Sequence, residues 1–309
     1  MKFEIVKTID SDYKQNSSRL DFWFYGQQNK NFVYFEDVFF GLKNQILLKN
    51  LLGETELKVT KSCLLLDKLY PPRSRQSIQN LIIAIDRIHQ IQEGKLYTHA
   101  ACVSNDDMTI LIVAYPNVGK TLSTLQFLKE GWKYISDDTV LIDNKGYAFL
   151  TPFAAAIGYK DFLRFIKPSD VGRRKYYQKL IKAKINQLNK AIERITKPPT
   201  LNLAELYPTK DKGKVDIVAT IEIGPEKIKK ISLSEITERI TNINSYSIGR
   251  ISNPLIWVYS YFNNSFSVNK IEDNEKVNLT SFLENCNGEF YSLACNNWNW
   301  VKIFKKIIK

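Results

Sequence analysis

Two short groups of residues carry side chains suited to phosphate, metal ions and protons. Gly119, Lys120 and Thr121 follow an apolar run, and Asp137 and Asp138 come after the next helical pattern. Glycine leaves room for an anion against the backbone, lysine adds a cation, and a threonine hydroxyl can ligate Mg²⁺. Two adjacent carboxylates point to different sides of a strand, so one can bind metal while the other accepts a proton. This combination is typical of phosphoryl transfer.

A histidine stands before these groups. His99 lies in a run with strand character, where an imidazole can assist at a transferred phosphate or serve as a hydrogen-bonded core residue, and both interpretations stay open. The chain has one other histidine, His89, so a His-rich metal site is excluded. The cysteines form no C-x-x-C pair and predict neither a zinc site nor a disulfide framework. They are Cys63, Cys102, Cys286 and Cys295.

The loop that ends at Thr121 matches a phosphate-binding P-loop except at its first position. The pattern G-x-x-x-x-G-K-[ST] lies between a strand and a helix, and this chain has Ala114 in place of the first glycine. Backbone N–H groups at the start of the helix would point at the anion. We expect the nucleotide to contact Asn117, Val118, Gly119, Lys120, Thr121 and Leu122.

Periodicity places these groups on alternating strands and helices. Runs rich in β-branched and aromatic residues indicate strands, and apolar residues spaced by three or four indicate helices. Ser74 or Ser77 can cap a helix that ends near Gln92, and Ser232 or Ser234 can cap a later one. The expected strands are 2–9, 32–39, 96–103, 108–114, 133–136 and 215–223, and the expected helices end at 92, 130 and 240.

Composition divides the chain into three regions. Residues 1–72 form a β-rich N-terminal region, 73–240 a P-loop core, and 241–309 a C-terminal extension packed on that core. The core contains a basic helical insertion at about 158–197. At the C-terminal end, Trp298 and Trp300 can stack on bases or anchor the terminus against the core.

The bulk properties are those of an ordinary globular protein. Of the 309 residues, 44% are hydrophobic and 25% are charged. No apolar run reaches the ~18 residues that a membrane span needs. The N-terminus has no signal-peptide pattern. We therefore expect a cytoplasmic protein without a membrane partner.

The net charge of +12 is concentrated in one stretch. Residues 160–197 are dense in lysine and arginine, which predicts an anionic partner such as RNA or a phosphorylated metabolite. A solvated helix face explains the same pattern. Four arginines can stabilise phosphate charge or lie on the surface, namely Arg73, Arg75, Arg173 and Arg174.

Three motifs in series resemble one family. The segment Thr98-His99-Ala100-Ala101, the P-loop, and Ser136-Asp137-Asp138 are similar to the catalytic domain of HPr kinase/phosphorylase and its kinase-like relatives, which share their fold with PEP carboxykinase. The resemblance is good over residues 96–152 and loose to about 240. It implies an α/β P-loop kinase with a mixed sheet and flanking helices.

The resemblance also implies an activity. The chain would transfer the γ-phosphate of ATP to a hydroxyl of a protein, RNA or small molecule, with Mg²⁺ as cofactor. Asp138, His99 and Lys120 would be catalytic, with Asp138 as base, and Thr121 and Asp137 would bind the metal. The division of roles between the two aspartates can also be the reverse.

Two other classes remain open. Residues 116–121 look like the first motif of Era-type GTPases. The second motif of such a GTPase fits 143–146 by letter, but that segment also fits a hairpin turn. The guanine-reading motif has its nearest candidate at 269–272, with Glu272 where aspartate is required. The other alternative is a nucleic-acid-binding protein with a vestigial P-loop.

Overall fold

The computed structural model describes residues 1–39, 41–69, 78–151, 155–188, 200–249 and 251–308. The candidates Arg73 and Arg75 and the caps Ser74 and Ser77 lie outside the described residues, as does the basic stretch 189–199.

Strands are numbered in chain order. They are β1 (Lys2–Val6), β2 (Ser18–Arg19), β3 (Phe24–Gly26), β4 (Phe32–Phe39), β5 (Leu42–Lys49), β6 (Glu56–Thr60), β7 (Lys95–Thr98), β8 (Ala100–Ser104), β9 (Thr109–Val113), β10 (Lys133–Ser136), β11 (Val140–Asp143), β12 (Tyr147–Phe149), β13 (Ala155–Ala156), β14 (Thr200–Leu201), β15 (Lys212–Lys214), β16 (Ile217–Ile223), β17 (Lys227–Lys230) and β18 (Glu289–Cys295).

Helices are numbered in the same way. They are α1 (Asp12–Gln15), α2 (Lys61–Leu69), α3 (Ile78–Gln92), α4 (Lys120–Lys129), α5 (Tyr159–Phe165), α6 (Pro168–Val171), α7 (Arg173–Leu188), α8 (Leu233–Ser247), α9 (Pro254–Phe262), α10 (Val268–Asn285) and α11 (Trp300–Phe304). None of the helices among the described residues is long and apolar enough to cross a membrane.

The chain forms two compact units. The first comprises Met1–Glu93 and Gly249–Lys276, and the second comprises Gly94–Ile248 and Val277–Lys309. The chain passes from one unit to the other after Glu93, Ile248 and Lys276, whereas the sequence predicted boundaries at 72 and 240. The difference arises because the apolar face of α3 packs into the core of the first unit, with β-sheet residues of the N-terminal region.

The first unit is built on a six-stranded sheet in the order β1-β6-β5-β4-β3-β2. Strands β1 and β6 are parallel and the other pairs are antiparallel. Leu81, Ile85 and Ile88 of α3 are fully buried in a cluster with Val33 and Leu48 of the sheet. Burial of such aliphatic side chains is the main favourable contribution to folding.

The second unit is built on a six-stranded mixed sheet in the order β10-β8-β9-β16-β18-β17. Strands β9, β16 and β18 are parallel. Strand β8 pairs antiparallel with β9, β17 pairs antiparallel with β18, and β10 pairs antiparallel with β8 and therefore runs in the same direction as β9. A four-stranded antiparallel sheet, β15-β12-β11-β7, belongs to the same unit. The predicted mixed α/β architecture is thereby confirmed, while its assignment to the HPr kinase/PEP carboxykinase type stays a prediction.

Alternation along the strands gives the mixed sheet two apolar faces. One face packs Leu111 and Val113 against Ile236 and Ile240 of α8. The other face packs Ile112 against Phe127 of α4 and against α11. Helix α4, which starts at the predicted phosphate-binding loop, is thus fixed on the sheet by its own buried face.

Two features of this sheet differ from the sequence-based expectation. The single strand expected at 96–103 is two strands that belong to different sheets, with His99 at the break between them. The region expected to be an extension packed on the core contributes β18, which pairs with β16 along its whole length. Both differences come from strand pairing between distant segments, which local periodicity does not encode.

Candidate active site

The polar residues predicted to act together lie at one edge of the mixed sheet. The loop 114–119 follows the carboxyl end of β9, and the segment 296–299 follows the carboxyl end of the parallel strand β18. His99 precedes β8, which is antiparallel to β9, so it also lies at this edge. Ligands of open α/β sheets bind in the crevice outside the carboxyl ends of the strands.

The backbone of the loop requires glycine at its last position. Gly119 has φ +110 and Asn117 has φ +65, both in the left-handed region. A Cβ on Gly119 would lie 2.6 Å from Nε1 of Trp300, a buried indole nitrogen without a hydrogen-bond partner among the described residues. Gly119 is therefore constrained both by its backbone conformation and by the residue packed against it.

As a test of the ATP binding that the sequence predicts for this loop, replacing Gly119 by alanine is expected to weaken the affinity about tenfold or more, because left-handed strain costs ~1–3 kcal/mol and the methyl group displaces the loop from Trp300. Titration calorimetry of Mg-ATP measures the effect. Gly131→Ala is the matched control, since Gly131 has φ +88 at the other end of α4 but no atom within 4 Å of the position that an added Cβ would take. Equal affinities of the two variants would contradict the role assigned to the loop.

Lys120 is a buried cation with two partners. Its Nζ donates to the carbonyl of Ala114 at 3.0 Å and lies 2.6 Å from Nε2 of His99. Burial lowers the pKa of Lys120 to about 8, partly opposed by the charges of Asp138 and Asp137. Ala114 is itself fully buried in the core beneath the loop, so alanine suits the position where the P-loop pattern has its first glycine.

His99 is held from three directions. Its backbone N–H donates to Oδ1 of Asn244 on α8 at 2.9 Å, and its Nδ1 lies 3.6 Å from Oδ1 of Asp138. Burial and then the charge of Lys120 lower the pKa of His99, while Asp138 opposes the shift. Because an ammonium has only donors, Nε2 accepts from Lys120 and the imidazole proton resides on Nδ1, facing Asp138.

Asp137 is buried and bound by two hydroxyl groups. Thr121 Oγ1 donates to Oδ2 of Asp137 at 2.8 Å, and Thr124 Oγ1 donates to Oδ1 at 3.2 Å. Burial raises the pKa of Asp137 to about 6, against the lowering effect of these hydrogen bonds. The carboxylate is held in place but poorly solvated, so a cation bound beside it would lower its pKa again.

The raised pKa of Asp137 predicts a pH-dependent stability. The native state binds this proton more tightly than the unfolded chain, so the free energy of unfolding falls as pH rises from 3.8 to about 6 and stays reduced above that. Asp137→Asn should therefore increase the free energy of unfolding by up to ~3 kcal/mol at pH 7 and have little effect near pH 4. Urea denaturation followed by circular dichroism measures both.

Asp107→Asn, an exposed carboxylate in the turn between β8 and β9, serves as control for that stability measurement. It should leave stability unchanged at both pH values. An equal gain from Asp137→Asn at pH 4 and pH 7 would show that the carboxylate is not penalised by burial.

The donor set around Asp137 suits Mg²⁺. A carboxylate and a threonine hydroxyl are hard oxygen ligands, and Mg²⁺ is usually bound by one or two carboxylates together with phosphate oxygens and water. Among the residues that the structure describes, no group of three or more His, Cys, Asp or Glu side chains is placed to hold a metal by itself. The residues therefore fit a metal that arrives with a nucleotide.

Asp138 differs from its neighbour in exposure. Its side chain is 65% exposed, and its backbone has φ +71. The N–H of Thr139 donates to the carbonyl of Asp137 at 2.9 Å, and Ser136 Oγ donates to the carbonyl of Thr139 at 2.6 Å, which closes the turn. The turn directs one aspartate inward to Thr121 and the other outward to solvent beside His99.

The other predicted residues are placed less centrally. Leu122 packs into the core with Phe162, so only its backbone is available to a ligand. Val118 is half-buried against the cluster of Phe127. Arg173 and Arg174 lie exposed at the start of α7.

Three residues were missed by sequence reasoning. Thr124 binds Asp137, Asn244 binds His99, and Gln126 ties α4 to residue 298 through its side-chain amide. Asn244 could have been detected in the sequence, because it is a polar residue that interrupts the apolar stripe of α8. Thr124 and Gln126 are polar residues on a helix turn that also carries core leucines, and periodicity alone did not distinguish them.

The fold and the site together define a mixed α/β protein whose polar groups converge on the start of one helix. No protein-family model matches the chain, and no curated protein matches it. Among solved structures, the chain is similar to the Hpr(Ser) kinase/phosphatase from Coxiella burnetii, with 13% sequence identity, covering 44% of this chain and 77% of that chain, at a TM-score of 0.26. A likeness this low carries no argument about activity.

Proposed function

We propose that this chain is a Mg²⁺-dependent kinase that transfers the γ-phosphate of ATP to a hydroxyl group. The observation that carries the proposal is the chain of contacts from Asp138 through His99 to Lys120, beside the contact of Asp137 with Thr121. These contacts bring a cation, an oxygen donor set for a metal and an exposed carboxylate to the start of α4.

Phosphate binding would fall to the loop and the first turn of α4. The first backbone N–H groups of a helix have no partner within the helix and favour an anion. Lys120 lies at the first helical position with its ammonium buried, and the β- and γ-phosphates would take it as their cation. Phosphate binding favours the charged form, so it would raise the pKa of Lys120 from about 8.

Thr121 and Asp137 would hold Mg²⁺, which neutralises charge on the transferred phosphate. The geometry supports this division of roles between the aspartates, because Asp137 is buried against Thr121 and Asp138 is exposed. Asp138 would accept the proton of the acceptor hydroxyl. His99, with its proton on Nδ1, would stabilise the carboxylate of Asp138 and keep Lys120 in place from its Nε2 side.

The contacts of the candidate GTPase motif favour the kinase over a GTPase. Asp143 accepts from the N–H groups of Lys145 and Tyr147 at 3.0 and 2.9 Å, so it closes the hairpin between β11 and β12. It also ends β11, several residues along the strand from Asp138. Residues 269–272 lie within α10, and Glu272 stands where the guanine-reading motif requires aspartate.

Transfer of label tests the proposal. The full chain is incubated with [γ-³²P]ATP, Mg²⁺ and a cell extract, and the extract is then separated into protein, RNA and small-molecule fractions. We expect label in one fraction, with none when Asp138→Asn replaces the wild type. The exposed basic residues at the start of α7 support an anionic acceptor, which label in RNA or in a phosphorylated metabolite would bear out.

Absence of label from every fraction, together with hydrolysis of GTP, would overturn the kinase in favour of a GTPase. Binding of RNA that depends strongly on salt and survives Lys120→Ala would instead favour a nucleic-acid-binding protein with a vestigial loop.

A further inference from the structure

An exposed tryptophan lies directly against the predicted phosphate-binding loop. Trp298 follows β18, is 39% exposed, and its Cε3 and Cζ3 atoms lie 3.2 Å from the point where a Cβ of Gly119 would be. Trp300, two residues on, is fully buried, so only Trp298 of this pair offers ring surface to a ligand. The sequence predicted that these residues either stack on bases or anchor the C-terminus against the core. Burial suits Trp300 to anchoring, and exposure suits Trp298 to stacking.

The segment that carries Trp298 is held rigidly to α4. Gln126, a buried residue of α4, donates from Nε2 to the carbonyl of Trp298 at 2.8 Å and accepts from the N–H of Val301 at 3.3 Å. Oδ1 of Asn297 accepts from the N–H of Asn299 at 3.1 Å, and Oδ1 of Asn299 accepts from the N–H of Lys302. The loop, α4 and residues 297–301 therefore form one fixed surface.

The backbone of Trp298 is strained. Its φ is +58, in the left-handed region where a bulky residue is a genuine outlier. Such strain persists only where the surroundings impose it, and it concentrates at ligand sites. An aromatic side chain kept in a costly conformation, half in solvent, beside a loop suited to phosphate, indicates a ligand-binding role.

Sheet order places Trp298 opposite the acidic pair. In the order β10-β8-β9-β16-β18, the loop follows β9, the aspartates follow β10 two strands to one side, and Trp298 follows β18 two strands to the other. A nucleoside triphosphate has its γ-phosphate and its base at opposite ends. With the γ-phosphate directed to Asp137 and Asp138, the base is directed to the side of Trp298.

A pair of exposed tyrosines also borders the loop and is the alternative site for the nucleotide base. Tyr115, which follows Ala114, packs edge-to-face on Tyr246 of α8 with ring centroids 5.3 Å apart. Helix α8 also carries Asn244, which binds His99, so this pair lies on the side of the γ-phosphate and acceptor. The position suits an acceptor better than a base.

We propose that Trp298 is the platform on which the nucleotide base stacks, so that the segment after β18 supplies the base-binding half of the site. This inference rests on the proposed function, since it takes the loop as the phosphate-binding half. Stacking on an aromatic ring favours any base, so Trp298 provides affinity for nucleotides without choosing adenine over guanine.

The test compares two ligands that differ in the base. Titration calorimetry measures the affinities of the full chain for Mg-ATP and for Mg-tripolyphosphate, which has the phosphates alone. Trp298→Ala is expected to weaken ATP binding about tenfold to a hundredfold and to leave tripolyphosphate binding unchanged. Trp298→Phe keeps a ring and should retain most of the ATP affinity. Trp23→Ala, at 41% exposure in the first unit, is the matched control.

Every other outcome would overturn either the stacking role of Trp298 or the proposed function itself. Equal loss of both ligands in Trp298→Ala would mean that the residue supports the loop and does not stack, and no loss of either would mean that it does not contact the nucleotide. If Tyr246→Ala weakens the binding of ATP but not of tripolyphosphate, and Trp298→Ala does not, the base would be assigned to the pair of Tyr115 and Tyr246. If the wild-type chain binds neither ligand, the proposed function itself falls, which is distinct from failure at Trp298.

Discussion

Asp138→Asn is expected to reduce phosphoryl transfer about 10²- to 10⁴-fold while Mg-ATP affinity stays close to that of the wild type. Asparagine preserves the shape of the side chain but cannot accept the proton of an acceptor hydroxyl. The carboxylate of Asp138 is exposed, and Thr121 donates its hydrogen bond to Asp137 instead, so nucleotide and metal binding lose little. Initial rates of label transfer and calorimetric affinities are the two measurements.

The same pair of measurements on Asp137→Asn tests the division of roles between the aspartates. Loss of Mg²⁺-dependent binding in Asp137→Asn, with loss of transfer alone in Asp138→Asn, agrees with the geometry. The opposite pattern would reverse the roles. Asp107→Asn, remote from the loop in the turn between β8 and β9, should behave as wild type.

The central elements of the site could be predicted because their signals are local. A buried strand, a short loop with Gly119 and Lys120, and a helix of small and apolar residues are contiguous, so each was visible without knowledge of pairing. Strand alternation predicted that Asp137 and Asp138 point to different sides, and they do, but a turn after β10 with Asp138 at φ +71 produces this placement. The mixed α/β fold was predictable for the same reason.

The strand predictions that differ from the structure depended on contacts between segments that are distant in sequence. Strand β18 is paired with β16, far away in sequence, and its residues were assigned only to a C-terminal extension at 241–309. The break at His99 arises because β7 pairs with β11 while β8 pairs with β9, so one apolar run serves two sheets. Pairing between strands is decided by tertiary packing more than by the composition of either strand.

The consequence for function is that the sequence offered base stacking as one use of Trp298 but could not place this residue beside the predicted phosphate-binding loop. The phosphate side is a contiguous motif, whereas the side formed by Gln126 and Trp298 exists only once β18 joins the sheet. A motif search therefore finds the predicted phosphate-binding part of the candidate site, and the structure is needed to place Trp298 beside it.

Lys120→Ala is expected to reduce transfer about 10²- to 10³-fold and to weaken Mg-ATP binding, because it removes a buried cation from the place where phosphate charge develops. Arginine should not substitute, since Nζ occupies a space between Ala114 and His99 that suits a compact ammonium better than a planar guanidinium. Lys129→Ala, exposed at the far end of α4, is the matched control. Wild-type kinetics in Lys120→Ala would refute the assignment of the loop.

The direction in which the pKa of His99 shifts distinguishes this electrostatic role from a general disturbance of the fold. The charge of Lys120 lowers the pKa of His99 and that of Asp138 raises it, so Lys120→Ala should move the pKa upward and Asp138→Asn should move it downward. The chain has only two histidines, so NMR titration resolves His99 from His89. A disturbed fold that exposes the imidazole would shift the pKa upward in both variants, whereas opposite shifts require that Lys120, His99 and Asp138 interact through their charges.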